Sequence, residues 1–209
     1  MKKAYFTIDK EYESVTVIER SKFICRIKPI SDEKSAKNYL TEIIKKETGA
    51  THNCYAYVLE GETVFKFSDD GEPHGTAGQP MLEVLKGNDL KNVMAVVTRY
   101  FGGIKLGTGG LVRAYSGAVS ECVKKAEIIE KVYSSIISVT VDYTLYPKIP
   151  KTFSKSGGRV ISTDFGNEVN VVFAVPVDNK EILEDELSSV LNGNIRFVEN
   201  SCEYIAYSR

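Results

Sequence analysis

The sequence lacks an apolar run long enough to cross a bilayer. Stretches such as Val93 to Val97 fall far short of the roughly 20 residues that a spanning helix needs, and Lys2 and Lys3 precede no apolar signal region. No membrane contact and a cytoplasmic location are therefore expected. An excess of one charge is also missing: 27 basic side chains face 28 acidic ones, for a formal net charge of -1. No whole-molecule field draws the chain onto a polyanion, so tight duplex DNA binding is not expected and any RNA contact must be local. The four cysteines, Cys25, Cys54, Cys122 and Cys202, form no C-x-x-C pair and with two histidines complete no zinc ligand set. His52 and Cys54 share one side of a strand but supply only two ligands. Reduced structural thiols, no metal and no cofactor are expected.

What remains has globular proportions. Hydrophobic residues make up 43% and charged residues 26%, while 6 prolines and 16 glycines leave no room for a long fibrous or disordered tract. β-rich runs cover Ser14 to Arg20 and Lys22 to Ile30, followed by a helix capped by Asp32, lined by Ala36, Leu40, Ile43 and Ile44, and stopped at Gly49. Strands are predicted at Asn53 to Leu59 and Thr63 to Phe67, joined around Glu60 and Gly61. A short helix runs from Pro80 to Leu85, a central strand from Val93 to Phe101, and a longer helix from Leu111 to Ala126. The pattern then restarts. Strands at Ser134 to Tyr143, Arg159 to Asp164, Glu168 to Val175 and Ile195 to Tyr207 enclose helices at Pro147 to Ser156 and from a cap at Asp178 and Glu181 to Leu191. This β-α-β-β-α-β order is the ferredoxin-like one, so an α/β (α+β) chain with domains 1–133 and 134–209 is expected.

Two constellations carry chemistry. The first is the turn Gly102-Gly103-Ile104-Lys105-Leu106-Gly107-Thr108-Gly109-Gly110, whose glycines permit tight bending, close approach or free amides. Arg99, Lys105 and Arg113 are its charge partners, and amides of Gly102, Gly103, Gly107, Gly109 and Gly110 are candidate anion donors. The alternative is tight packing, with the arginines paired to Asp69, Asp70 or Glu72. The turn is not a nucleotide fingerprint: Leu106 follows Lys105 where a Ser or Thr would hold magnesium, and the G-x-G-x-x-G spacing is absent. The second constellation, Asp69, Asp70, Glu72 and His74, has the groups for a bound cation or a general base. Its bland reading is a turn in which the aspartates accept backbone amides. Tyr55, Tyr57, Tyr100, Phe101 and Tyr115 offer stacking surfaces, although the period-two spacing of Tyr55 and Tyr57 also suits a core.

The segments Thr51-His52-Asn53-Cys54-Tyr55-Ala56-Tyr57, Phe67-Ser68-Asp69-Asp70-Gly71-Glu72-Pro73, Gly75-Thr76-Ala77-Gly78, Val97-Thr98-Arg99-Tyr100-Phe101-Gly102-Gly103, Leu106-Gly107 and Gly109-Gly110-Leu111-Val112-Arg113-Ala114-Tyr115 resemble the signature of the Impact family. The likeness covers about residues 15 to 125; Gly157-Gly158 and Phe165-Gly166 resemble the additional domain of bacterial members. It implies a first domain like one small-subunit ribosomal protein and the fourth domain of elongation factor G, with a left-handed βαβ crossover. The second domain is implied to resemble that factor's last one. Eukaryotic Impact regulates translation by competing for an activator of an initiation-factor kinase, and no segment here resembles its additional N-terminal domain. His74 departs from the small polar residue more usual in the family. The resemblance implies fold and a general association with translation, and likeness to ribosomal and elongation-factor domains is only an analogy for RNA binding. From the residues themselves, binding to RNA or a ribosomal component through the surface around Arg99, Lys105, the glycine turn and Arg113 is expected. A metal-assisted small-molecule or peptide hydrolase using Asp69 to His74 and a protein-protein adaptor are the alternatives, with no enzymatic activity as the working expectation.

Overall fold

The computed structural model describes residues 4–60, 64–151, 155–191 and 197–207. Gly61, Thr63 and Ile195, which belong to the expected turns and strands, lie outside them. In chain order the elements are β1 (Ala4–Ile8), β2 (Tyr12–Ile18), β3 (Ser21–Pro29), α1 (Glu33–Lys46), β4 (His52–Val58), β5 (Phe65–Ser68), α2 (Gly78–Gly87), β6 (Val93–Tyr100), α3 (Gly107–Lys125), β7 (Ile128–Val141), β8 (Arg159–Phe165), β9 (Val169–Pro176), α4 (Lys180–Val190) and β10 (Phe197–Tyr207). Among the described residues, four helices and ten strands in two sheets make the chain an α+β protein. The chain divides into two compact units, one ending at Glu130 and one spanning Lys131–Tyr207.

The first unit is built on an antiparallel sheet of order β2-β3-β6-β4-β5. Because β3 and β4 both run antiparallel to β6, they are parallel to each other, with β6 between them and α1 as the crossover. Side chains alternate between the sheet's faces. Phe23, Cys25 and Ile27 of β3, Cys54 and Ala56 of β4, and Val93, Ala95 and Val97 of β6 enter one core with Leu82 and Leu85 of α2 and Tyr115 and Val119 of α3. Tyr57, Met94 and Val96 point the other way, against Ala36, Tyr39 and Ile43 of α1. The sheet is thus covered on both faces.

Asp32 caps α1 as expected: its carboxylate accepts the Ser35 amide at 2.6 Å, and the Ser35 hydroxyl accepts the Asp32 amide at 3.1 Å. Ile44 does not join the buried face and remains 48% exposed. Several elements begin earlier than the sequence pattern suggests, β2 at Tyr12 and β4 at His52 among them. α2 starts at Gly78, taking one glycine into its first turn, α3 starts at Gly107 with three glycines among its first four residues, and β7 starts at Ile128.

In the second unit β7 and β8 each pair antiparallel with β9, which lies between them, and β10 pairs with β7. This is the strand order of the split βαβ arrangement. Ile137, Val139, Val141, Val171 and Phe173 form its core with Leu183 and Leu187 of α4. The α-helix expected over Pro147 to Ser156 is instead a 3₁₀ turn at Tyr146–Lys151, with residues 152–154 outside the described set. Pro150 has no amide proton to continue an α ladder, which favours the shorter form. The cap expected from Asp178 and Glu181 is also displaced. Asn179 occupies the cap position of α4 with no side-chain bond to the helix, and its amide donates to the Ser156 carbonyl at 3.0 Å.

Candidate anion-binding groove

Arg99 belongs to the parity of Val97, Ala95 and Val93, so its side chain enters the core beneath α2 and α3. It is 5% exposed, and its Nη1 donates to Glu72 Oε1 at 2.6 Å. The same oxygen accepts the Tyr115 hydroxyl at 2.7 Å, while the rings of Phe23 and Phe101 lie 5.5 Å from the guanidinium carbon. Nη2 donates to Ser21 Oγ at 3.4 Å, an oxygen that also accepts the Gly102 amide at 3.2 Å. Arg99 and Gly102, both expected in an anion cleft, are therefore committed to internal partners. A buried guanidinium facing a buried carboxylate is held by the ion pair itself, because either charge alone would be costly there.

The acidic loop is similarly occupied. Asp69 accepts the amides of Gly75 at 2.8 Å, Ala77 at 3.0 Å and Gly78 at 2.8 Å, closing the loop onto the start of α2. Burial pushes the Asp69 carboxyl up, but the three amides outweigh it and hold the group below the usual range. Asp70, at φ +44°, accepts the Asn53 amide on its carboxylate at 2.6 Å and the His52 Nδ1 proton on its carbonyl at 2.6 Å. Cys54 donates to the Asp69 carbonyl at 3.0 Å, and burial pushes its thiol up to about 12. His74 is exposed. Among the described residues no group of three His, Cys, Asp or Glu side chains is arranged to hold a metal ion. The four residues weighed as an alternative cation or general-base site have separate tasks: Asp69 and Asp70 accept backbone amides and brace the loop, as the turn reading of the sequence has it, Glu72 neutralises Arg99, and His74 faces solvent.

Lys105 and Arg113 have a different setting. Both are exposed, neither forms an ion pair with a described residue, and both line a groove of about 480 Å³ with Ile18, Glu19, Ile104 and Gly110. α3 begins beside it with no side-chain cap, leaving its first amides unbonded by any capping group. The Arg113 side chain bends back over that first turn, since a Cβ at Gly109 would lie 3.7 Å from its Nη1. Gly103 and Gly107 have φ of +88° and +71°, which lets the chain reverse between β6 and α3 without strain.

The opposite wall is the β2–β3 hairpin. Ile18 pairs with Ser21, so Glu19 and Arg20 alone form the loop, with φ of +46° and +62°. Such two-residue turns ordinarily use Asn and Gly at these positions. Gly102 packs directly beneath: a Cβ there would sit 2.1 Å from the Arg20 carbonyl group. The Glu72, Arg99, Ser21 and Gly102 network therefore supports one wall of the groove from inside. Sequence proximity places Arg99 beside the turn; its shared parity with Val97 is the signal for the interior, and its pair with Glu72 is the alternative reading of the sequence.

The first unit is thus an internally tied α+β body that presents a small groove carrying Lys105 and Arg113, and it is followed in the chain by a split βαβ unit. Comparison with known proteins is more specific. Residues 19–123 match the Impact N-terminal domain, and residues 139–194 match the domain of unknown function DUF1949. The IMPACT family member YvyE of Bacillus subtilis is 41% identical over 97% of this chain and 94% of its own length. The IMPACT family member YigZ of Escherichia coli is 32% identical over 88% and 93% of the two chains. A crystal structure described as that of a hypothetical protein superposes with a TM-score of 0.64 at 28% identity, covering 96% of this chain and 99% of that one. The chain belongs to the Impact family.

Proposed function

We propose that the chain is a translation-associated binding protein that contacts RNA or a ribosomal component through the groove between the β2–β3 turn and the start of α3. The observation that carries this reading is the placement of Lys105 and Arg113, which form no ion pair with a described residue, on one groove beside helix amides with no side-chain cap. A guanidinium grips phosphate oxygens with two directed bonds, the lysine adds a point charge, and free amides at a helix start favour an anion. The family's implied association with translation supports RNA or the ribosome as the source of that anion. No specific arrangement favours the hydrolase reading, because the carboxylates of Asp69, Asp70 and Glu72 already accept internal donors.

Single-stranded RNA binding and co-sedimentation with ribosomes, followed across a salt series, test the proposal. Lys105→Ala and Arg113→Ala should each weaken binding and flatten the dependence on salt by about one phosphate contact. Arg113→Lys should fall between parent and alanine, since it retains charge without the paired geometry. Folded variants with the parent's affinity and salt slope would remove the groove from consideration. Salt-insensitive binding to a ribosomal protein in the absence of RNA affinity would instead support an adaptor.

A further inference from the structure

The face of the same sheet that packs against α1 holds a second groove, of about 370 Å³. This volume lies in the range of about 300–1,000 Å³ typical of small-molecule sites. Its interior is aromatic and apolar: Tyr57 and Met94 are buried, and Tyr55 is half-buried. Residues two apart on β4 share a face, which sets the Tyr55 and Tyr57 rings nearly parallel, at 9°, with centroids 6.4 Å apart. The rim is charged. Lys66 stands opposite Tyr57 in the β4–β5 register, and Lys37 lies one turn after Glu33 on α1. Neither lysine forms an ion pair with a described residue, and among the described lining residues Glu33 is the one acid beside Lys37 and Lys66, so the described rim is net positive.

We propose that this groove binds one nucleotide unit, with its base against Tyr55 and its phosphate held by Lys37 and Lys66. Charge complementarity selects the occupant: a planar aromatic ring suits the tyrosine surface, and an attached anion suits two exposed ammonium groups that pair with no described residue. A neutral aromatic would leave both lysines without a partner, and a simple phosphate would leave the apolar floor open. The chemistry is shared by a free nucleotide and by an unpaired nucleotide of an RNA strand. It is independent of the basic groove near α3, which adjoins the core on the other face of the sheet.

Titration with adenosine monophosphate, adenosine and a short oligoadenylate, followed by the aromatic-ring NMR signals of Tyr55 and Tyr57, tests this assignment. We expect the monophosphate or the oligoadenylate to shift both rings and adenosine to bind at least tenfold more weakly. Response to the monophosphate identifies a free-nucleotide site, and response to the oligoadenylate alone identifies a site for a base within RNA. Replacing both exposed lysines, as K37A/K66A, should weaken binding about tenfold and flatten its salt dependence. Tyr55→Leu keeps apolar bulk while removing the stacking face, and should also cost about tenfold. The Lys105→Ala and Arg113→Ala variants should retain this binding, which separates its outcome from that of the α3 groove. Unmoved ring signals with all three ligands, or parent-like binding by folded K37A/K66A, would overturn the proposal.

Discussion

At the scale of single residues, a carboxylate can be indispensable without being catalytic. Asp69 closes its loop through three amides, and hydrogen bonds to a charged acceptor are typically worth about 1.5–3 kcal/mol. Asp69→Asn should lower stability by about 1–3 kcal/mol at neutral pH, read by urea unfolding. Because the folded carboxyl is held below its unfolded value of about 3.9, its contribution is complete above about pH 5 and declines as pH falls through the depressed folded value. The gap between parent and Asn variant should therefore narrow in acid. A gap that stays constant from pH 7 to pH 3 would contradict this assignment. The buried pair makes a second test: Arg99→Met or Glu72→Gln alone leaves an uncompensated charge and should cost about 3–5 kcal/mol. The double variant should lose much less than the sum of the two, and additivity in the thermodynamic cycle would show that the pair is not coupled. Thiol chemistry follows burial too. Cys202 should react rapidly with Ellman's reagent in the native protein, while Cys25, Cys54 and Cys122 should react only on unfolding.

At the scale of elements, α1 shows how local rules and tertiary packing divide the work. The reciprocal Asp32 and Ser35 bonds satisfy its first turn, so Asp32→Ala should lower the unfolding midpoint by an amount equivalent to about 0.5–2 kcal/mol. The same helix was legible because Ala36 and Ile43 follow its period; Ile44 failed because one residue's rotation carries it to the rim of the buried stripe. The central strand β6 was legible from its apolar content, and the parity along it explains both the buried pair and the error over Arg99. The start of α3 was obscured by glycines, which have low helix propensity but are tolerated in an exposed first turn. β1, which sequence pattern did not reveal, is short, and Phe6 makes an isolated parallel bridge to Leu90. Such long-range pairing leaves no local periodicity to read.

At the scale of the molecule, the second unit has a complete apolar core of its own, and we expect a fragment covering 131–209 to fold alone. A dispersed proton NMR spectrum with cooperative unfolding would bear this out; a soluble but collapsed spectrum would refute it. The first unit carries a different signature, because the β2–β3 turn holds two non-glycine residues in the left-handed region. Each such residue costs on the order of 1–3 kcal/mol, and strain of this kind tends to persist where function requires it. Arg20→Gly should therefore raise stability by about 1 kcal/mol. Selection for survival at high temperature would be drawn to positions 19 and 20, the very residues that shape the wall of the basic groove. Under the function proposed for that groove, a lineage adapted to heat by that route exchanges grip on a bound anion for endurance, so the hairpin's awkward backbone becomes a place where robustness and recognition compete.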